Sequence, residues 1–149
     1  MLRYSSLFFS LVCAAPAVAE PAPAHVVQLA TESVPAVAGS GKASVWRIAG
    51  QAEGAKNAFF AVLELKPGAK VPVHRDATEE YLYVLSGTGD ITIDGQTTSV
   101  APGFGIFMPA GAEVSFAVTG SEAVQVVQFF AGQGPEKKYD AWTGVKPAP

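Results

Sequence analysis

Short runs of β-branched and aromatic residues recur along the chain, and none keeps a helical period for long. Runs of roughly 4–8 residues with this composition are typical of β-strands. The predicted strands are Ser44–Ile48, Phe59–Leu65, Tyr81–Leu85, Ile91–Asp94, Gly105–Met108, Val114–Val118 and Val124–Phe130. The pattern therefore predicts an all-β fold.

Turn-forming residues separate these strands. The clearest turn is formed by Asp94 and Gly95, between Ile91–Ile93 and Gln96–Val100. A two-residue hairpin turn needs positive φ, which Asp and Gly tolerate. Many short strands joined by such turns predict a β-sandwich or β-barrel.

The first residues have the pattern of a secretory signal peptide. Arg3 precedes an apolar stretch, and the small residues Ala17 and Ala19 follow it. The apolar stretch is shorter than the roughly 20 residues that span a bilayer. We expect cleavage after Ala19 and a periplasmic or secreted protein that makes no membrane contact after cleavage.

Composition divides the rest of the chain. An Ala-, Pro-, Ser- and Gly-rich stretch, with a candidate strand at His25–Leu29, precedes the predicted strands, and a Gly- and Pro-rich stretch follows them. We assign residues 1–19 to the signal peptide, 20–42 to a leader or edge segment, 43–131 to a single barrel domain and 132–149 to an irregular tail across its surface. We expect no catalytic role for the tail.

Charge and cysteine content exclude several classes of function. Charged residues make up 15% of the 149 residues, below the roughly 25% of average soluble domains. The net charge is −3, and the basic residues are scattered, so nucleic acid is not an expected partner. The single cysteine, Cys13, lies in the predicted signal peptide, so the mature chain has neither a disulfide nor a thiol nucleophile.

One polar cluster stands out from the apolar pattern. Residues two apart in a strand face the same side, so His74 and Asp76 are predicted to point together, and Glu80 to join them after a bend. An imidazole and two carboxylates in one lumen are candidates for metal binding or acid–base chemistry. Arg75 and Glu79 are predicted to point away and to form a surface ion pair.

This cluster stands in a framework that resembles the cupin superfamily. The first cupin motif is Gly, five residues, His-x-His, three or four residues, Glu, six residues and Gly; the second is Gly, five residues, Pro-x-Gly, two residues and His. The first is matched by Gly68, His74, Asp76, Glu80 and Gly87, and the second by Gly103, Pro109 and Gly111, with Val114 at the histidine position. The resemblance implies a double-stranded β-helix, or jelly-roll barrel.

The resemblance also implies a divalent metal, such as manganese or iron, because the family's histidines and glutamate bind one. Carried over by position, His74 and Glu80 remain as ligands, with Asp76 as an oxygen substitute, while Val114 supplies none. Two of the usual histidines are thus replaced. One histidine with two carboxylates is a harder donor set, which favours manganese, magnesium or calcium over iron.

Strand alternation predicts two apolar surfaces. Facing inward, and predicted to line a small-molecule pocket, are Leu82, Val84, Ile106, Met108, Val114 and Phe116. Facing outward, Tyr81, Tyr83 and Leu85 form an apolar row. Such a row suits a homodimer interface, or a covering layer formed by the N-terminal strand or the tail.

Two functional interpretations stay open. The first is an exported cupin that binds a small molecule, in which His74, Asp76 and Glu80 hold a divalent metal, or His74 acts in acid–base chemistry with a carboxylate. The second is a non-catalytic binding or interaction module with a vestigial metal site, which Val114 favours. The sequence selects neither a substrate nor a reaction.

Overall fold

The computed structural model describes residues 36–38 and 40–142. The predicted signal peptide and the candidate strand His25–Leu29 lie outside these residues. The described elements are β1 (Ala36–Val37), β2 (Ala43–Ala49), β3 (Ala58–Leu65), β4 (Lys70–His74), β5 (Glu80–Ser86), β6 (Gly89–Ile93), β7 (Gln96–Val100), β8 (Gly105–Met108), β9 (Val114–Val118), β10 (Val124–Ala131) and a 3-10 helix (Pro135–Ala141).

The strands form two antiparallel sheets. The larger has the order β1-β2-β3-β10-β5-β8 and the smaller the order β4-β9-β6-β7. Buried residues from both sheets form one apolar core. The all-β jelly-roll prediction is confirmed, and no helix within the described ranges is long and apolar enough to cross a membrane.

Strand alternation builds this core. Along β3 and β10, buried inward-facing residues alternate with half-buried or exposed outward-facing residues. Phe59 and Phe130 are fully buried, and their ring centroids lie 5.9 Å apart. Burying a Phe side chain contributes about 1.5–3 kcal/mol, so this pair is a major stabilising contact of the larger sheet.

Backbone conformation explains the predicted hairpin turn and the last glycine of the first motif. Asp94 and Gly95 have φ of 46° and 81°, which gives the expected tight hairpin between β6 and β7. Gly87, the last residue of the first motif, has φ of 74°, and a Cβ there would lie 2.5 Å from the Ala123 carbonyl oxygen. Only glycine fits this close approach between two chain segments.

The tail is predicted to be an irregular surface segment, but it contains a 3-10 helix with buried residues. Pro135 lies in the first turn of the 3-10 helix, where its fixed φ is favourable. Tyr139 is only 3% exposed and packs against Phe59 and Trp142, with centroid distances of 5.9 and 4.9 Å. Burial of this aromatic ring anchors the helix against the barrel core.

Candidate functional site

Two adjacent elements supply the predicted polar cluster. His74 is the last residue of β4, Asp76 lies in the following loop, and Glu80 is the first residue of β5. The Gly111 N–H donates to the Asp76 carbonyl oxygen at 2.8 Å. The second motif therefore fixes the loop that carries Asp76.

Arg75 also fixes this loop. Its guanidinium donates to the Gly111 carbonyl oxygen at 2.6 Å and to the Glu113 carboxylate at 2.9 Å. Glu79 instead accepts a hydrogen bond from the Tyr81 hydroxyl. The predicted Arg75–Glu79 pair is wrong because β4 ends at His74, so strand alternation no longer sets the direction of Arg75.

The three predicted site residues converge. One ligand atom from each of His74, Asp76 and Glu80 lies within 4.8 Å of the others. His74 Nδ1 lies 2.9 Å from the Pro72 carbonyl oxygen. A carbonyl only accepts, so Nδ1 carries the proton, and Nε2 faces Asp76 Oδ2 at 3.6 Å.

Glu80 is held by a buried chain of hydrogen bonds. The residue is 6% exposed, and its carboxylate accepts from Gln128 Nε2 at 2.6 Å, while Gln128 Oε1 accepts from the Tyr139 hydroxyl at 2.8 Å. Burial raises the pKa of Glu80, although the Gln128 hydrogen bond lowers it in part. Burial also raises the pKa of Tyr139, so its hydroxyl remains a donor.

The sequence reasoning missed a fourth charged residue, Lys138. Its Nζ lies 2.8 Å from Asp76 Oδ2 and 4.8 Å from the centroid of the Phe130 ring. It comes from the tail, for which no catalytic role was expected. The aromatic Tyr139 and Trp142 beside it were the available signal, because such residues in a Gly- and Pro-rich tail indicate packing against the barrel.

The charges shift one another's pKa values. The interaction with Asp76 raises the pKa of His74, although burial opposes it. Burial acts to raise the pKa of Asp76, but the interactions with His74 and Lys138 outweigh burial and lower that pKa. Asp76 is therefore a carboxylate at neutral pH.

The cluster borders a cavity of about 440 Å³. Four of the six predicted lining residues line it: Leu82, Met108, Val114 and Phe116. Val84 and Ile106 are not among its lining residues. Val84 is buried at 1% exposure and Ile106 is half-buried against the core, while Val126, the partner of Val84 on β10, supplies part of the wall.

Comparison with known families agrees with this geometry. The family model described as "Cupin domain" matches residues 61–130, which include β4, β5 and the cluster. The chain belongs to the cupin superfamily.

Solved structures similar to this cupin include an RmlC-like cupin from Shewanella frigidimarina, with 13% identity, a TM-score of 0.66 and coverage of 79% of this chain and 99% of that one. The polyketide cyclase RemF from Streptomyces resistomycificus has 20% identity and a TM-score of 0.65, covering 76% and 82%. A predicted oxalate decarboxylase from Thermotoga maritima has 21% identity and a TM-score of 0.62, covering 72% and 99%. No curated protein matches the chain.

The donor set of this cupin fits one divalent cation. Because Nδ1 of His74 holds the proton, Nε2 keeps a lone pair that can bind a metal, and two carboxylates lie beside it. Val114 contributes a buried apolar wall where the family motif has histidine. One nitrogen and two carboxylate groups suit a hard or borderline metal with water completing its coordination.

We expect Glu80→Gln to raise the free energy of unfolding of the metal-free protein relative to wild type, by an amount that grows as pH rises above 4.5. The raised pKa means that the folded state holds the Glu80 proton more tightly, so wild-type stability falls as pH rises from 4.5 through the folded pKa. Each unit of that pKa elevation corresponds to about 1.4 kcal/mol. Urea unfolding in chelator across this pH range measures the difference.

Glu122→Gln, at an exposed position, is the matched control. A difference between Glu80→Gln and wild type that does not change with pH would contradict the assigned environment of Glu80.

Proposed function

We propose that this cupin binds a small molecule with a mainly apolar body and one polar end in the barrel cavity. The observation that carries the proposal is the cavity itself, where apolar walls from both sheets meet the polar cluster of His74, Asp76 and Glu80. Such a cavity buries a ligand body, while its few polar groups orient the ligand. A volume of about 440 Å³ suits a molecule of small-metabolite size.

The proposal includes a divalent cation, manganese, iron or another, at the three-residue cluster. His74 Nε2, Asp76 and Glu80 would hold it. A bound cation would polarise an oxygen atom of the ligand as a Lewis acid. The chain's own contribution is to orient the donors: Pro72 fixes the His74 tautomer, and Gln128 fixes the Glu80 carboxylate.

The same residues support proton transfer. The Pro72 contact leaves His74 Nε2 as the atom that accepts or returns a proton, and Asp76 stabilises the protonated imidazole. Burial keeps a proton on Glu80 to higher pH than usual, which suits a proton donor. Two of the similar structures bear enzyme names, a polyketide cyclase and a predicted oxalate decarboxylase.

A second candidate is a non-catalytic binding module. Val114 at a ligand position and the Lys138 contact to Asp76 favour it, because both reduce the metal-binding capacity of the cluster. Both candidates share ligand binding in the cavity. They differ in whether the polar end of the ligand is transformed.

We also propose export. The signal-peptide pattern of residues 1–19 supports a mature chain that begins at Glu20 in the periplasm or outside the cell. The intact mass of the exported protein, compared with an Ala17→Phe variant that blocks cleavage, tests this start.

A homodimer through the outer face of the larger sheet is a further part of the proposal. The exposed apolar side chains of this face and of Phe104, which directly precedes β8, are called the aromatic patch; they are Tyr81, Tyr83, Leu85, Phe104, Phe107 and Phe129. Tyr81 contacts both Phe107 and Phe129, with centroid distances of 5.2 and 6.1 Å. A two-fold contact would place this uncharged patch against itself.

The described part of the chain does not cover the patch. Its members are 38–51% exposed with the 3-10 helix in place, and β1 lies at the opposite edge of the sheet from β8. A second copy therefore remains the occupant that we propose.

We expect cavity ligands to be found by thermal-shift screening with small carboxylic acids, ketones and phenols, because binding to the folded state raises the melting temperature. Val114→Phe fills the space beside the polar cluster and should abolish the shift at unchanged circular dichroism. Val73→Phe, at a 63% exposed position, should retain it. Equal shifts in both variants would place binding outside the cavity.

For the dimer, sedimentation velocity of the wild type should show a dimer at high protein concentration. Tyr83→Glu places a charge in the aromatic patch and should give a monomer, while Thr97→Glu on exposed β7 should remain dimeric. A wild type that stays monomeric at all concentrations would contradict this interface.

A further inference from the structure

The tail places an ammonium group directly on the candidate cation site. Lys138 Nζ lies 2.8 Å from Asp76 Oδ2, the same oxygen that lies 3.6 Å from His74 Nε2. The ion pair is partly shielded, since the side chain of Asp76 is 15% exposed and that of Lys138 34%. A cation bound between His74 and Asp76 would therefore share one carboxylate oxygen with the lysine.

Several contacts fix Lys138 in this position. The next residue, Tyr139, is buried and donates to Gln128, and the Glu136 carboxylate accepts from the Gly134 N–H at the start of the helix. The ammonium also lies over the face of Phe130, a cation–π contact. Exposed ion pairs are often transient, but this lysine extends from a segment with its own buried anchor.

Tyr139 connects the same segment to the third ligand. Its hydroxyl bonds Gln128, which in turn bonds Glu80. The 3-10 helix thus contacts Asp76 directly through Lys138 and Glu80 indirectly through Gln128. Two of the three candidate metal ligands are therefore coupled to the position of the tail.

We infer that the ammonium group of Lys138 competes with a divalent metal for Asp76. It neutralises the Asp76 carboxylate until a metal displaces it. The inference rests on the cation site proposed above. Two positive charges on one carboxylate oxygen repel each other, and the compact ammonium of lysine acts as a point charge. Metal binding therefore requires Lys138 to leave Asp76.

Lys138 lowers the affinity of the site for divalent ions. A cluster whose Asp76 charge is already balanced binds divalent ions more weakly than the same donors without the lysine. Cations at high concentration, or ligands that deliver a metal together with their own oxygen donors, are then the species that displace Lys138. Without them, the polar end of a ligand meets the ammonium of Lys138 instead of a metal.

The test is a calorimetric titration of the purified protein with Mn²⁺ alone. Lys138→Met removes the charge and keeps an unbranched side chain, so Mn²⁺ affinity should rise at least about tenfold, equivalent to about 1.4 kcal/mol. Lys138→Arg keeps the charge and should stay near wild type. Lys137→Met, the exposed neighbour, is the matched control and should not change affinity.

The outcomes separate the inference from the proposed function. Equal Mn²⁺ affinity in wild type and Lys138→Met, with loss of binding in Glu80→Gln, would overturn the role of Lys138 and leave the metal site standing. Absence of Mn²⁺ binding in every variant would overturn the cation site and the inference with it. If Lys138→Met fails the circular dichroism check, Lys138→Gln replaces it, with the same expected rise.

Discussion

The burial of the Glu80 carboxylate is the constraint on which the rest of the site depends. A carboxylate in an apolar wall is costly unless it is hydrogen-bonded, neutralised or bound to a cation. Gln128 supplies the hydrogen bond, and Tyr139 satisfies the remaining acceptor of Gln128. The hydrogen bonds that the buried Glu80 requires therefore connect the larger sheet to the 3-10 helix.

The same requirement organises the charges around the cavity. Asp76 keeps its charge because His74 and Lys138 contact it, and the Gly111 N–H holds its loop. A second negative charge on Glu80 would face that of Asp76, which adds to the rise in the Glu80 pKa that burial causes. A cluster of this kind suits a bound cation or proton transfer, and the proposed function draws on both.

Much of this architecture is predictable from sequence because it is local or periodic. Strand alternation and the Asp94–Gly95 turn give the strands, and the two spaced motifs give the convergence of His74, Asp76 and Glu80. Lys138 is not predictable in this way, because its approach to Asp76 depends on a tail path set by burial of Tyr139. The prediction that Val84 lines the cavity is wrong, because an inward-facing side chain can pack in the core without bordering the cavity.

The most direct test of the central claim is a crystal structure of the protein soaked in Mn²⁺, with anomalous data collected at the manganese edge. The account predicts an anomalous peak from a manganese ion that is bound by His74 Nε2, Asp76 and Glu80. Lys138 Nζ should be displaced from Asp76. Absence of a peak at this cluster, with Lys138 still paired to Asp76 at saturating Mn²⁺, would contradict it.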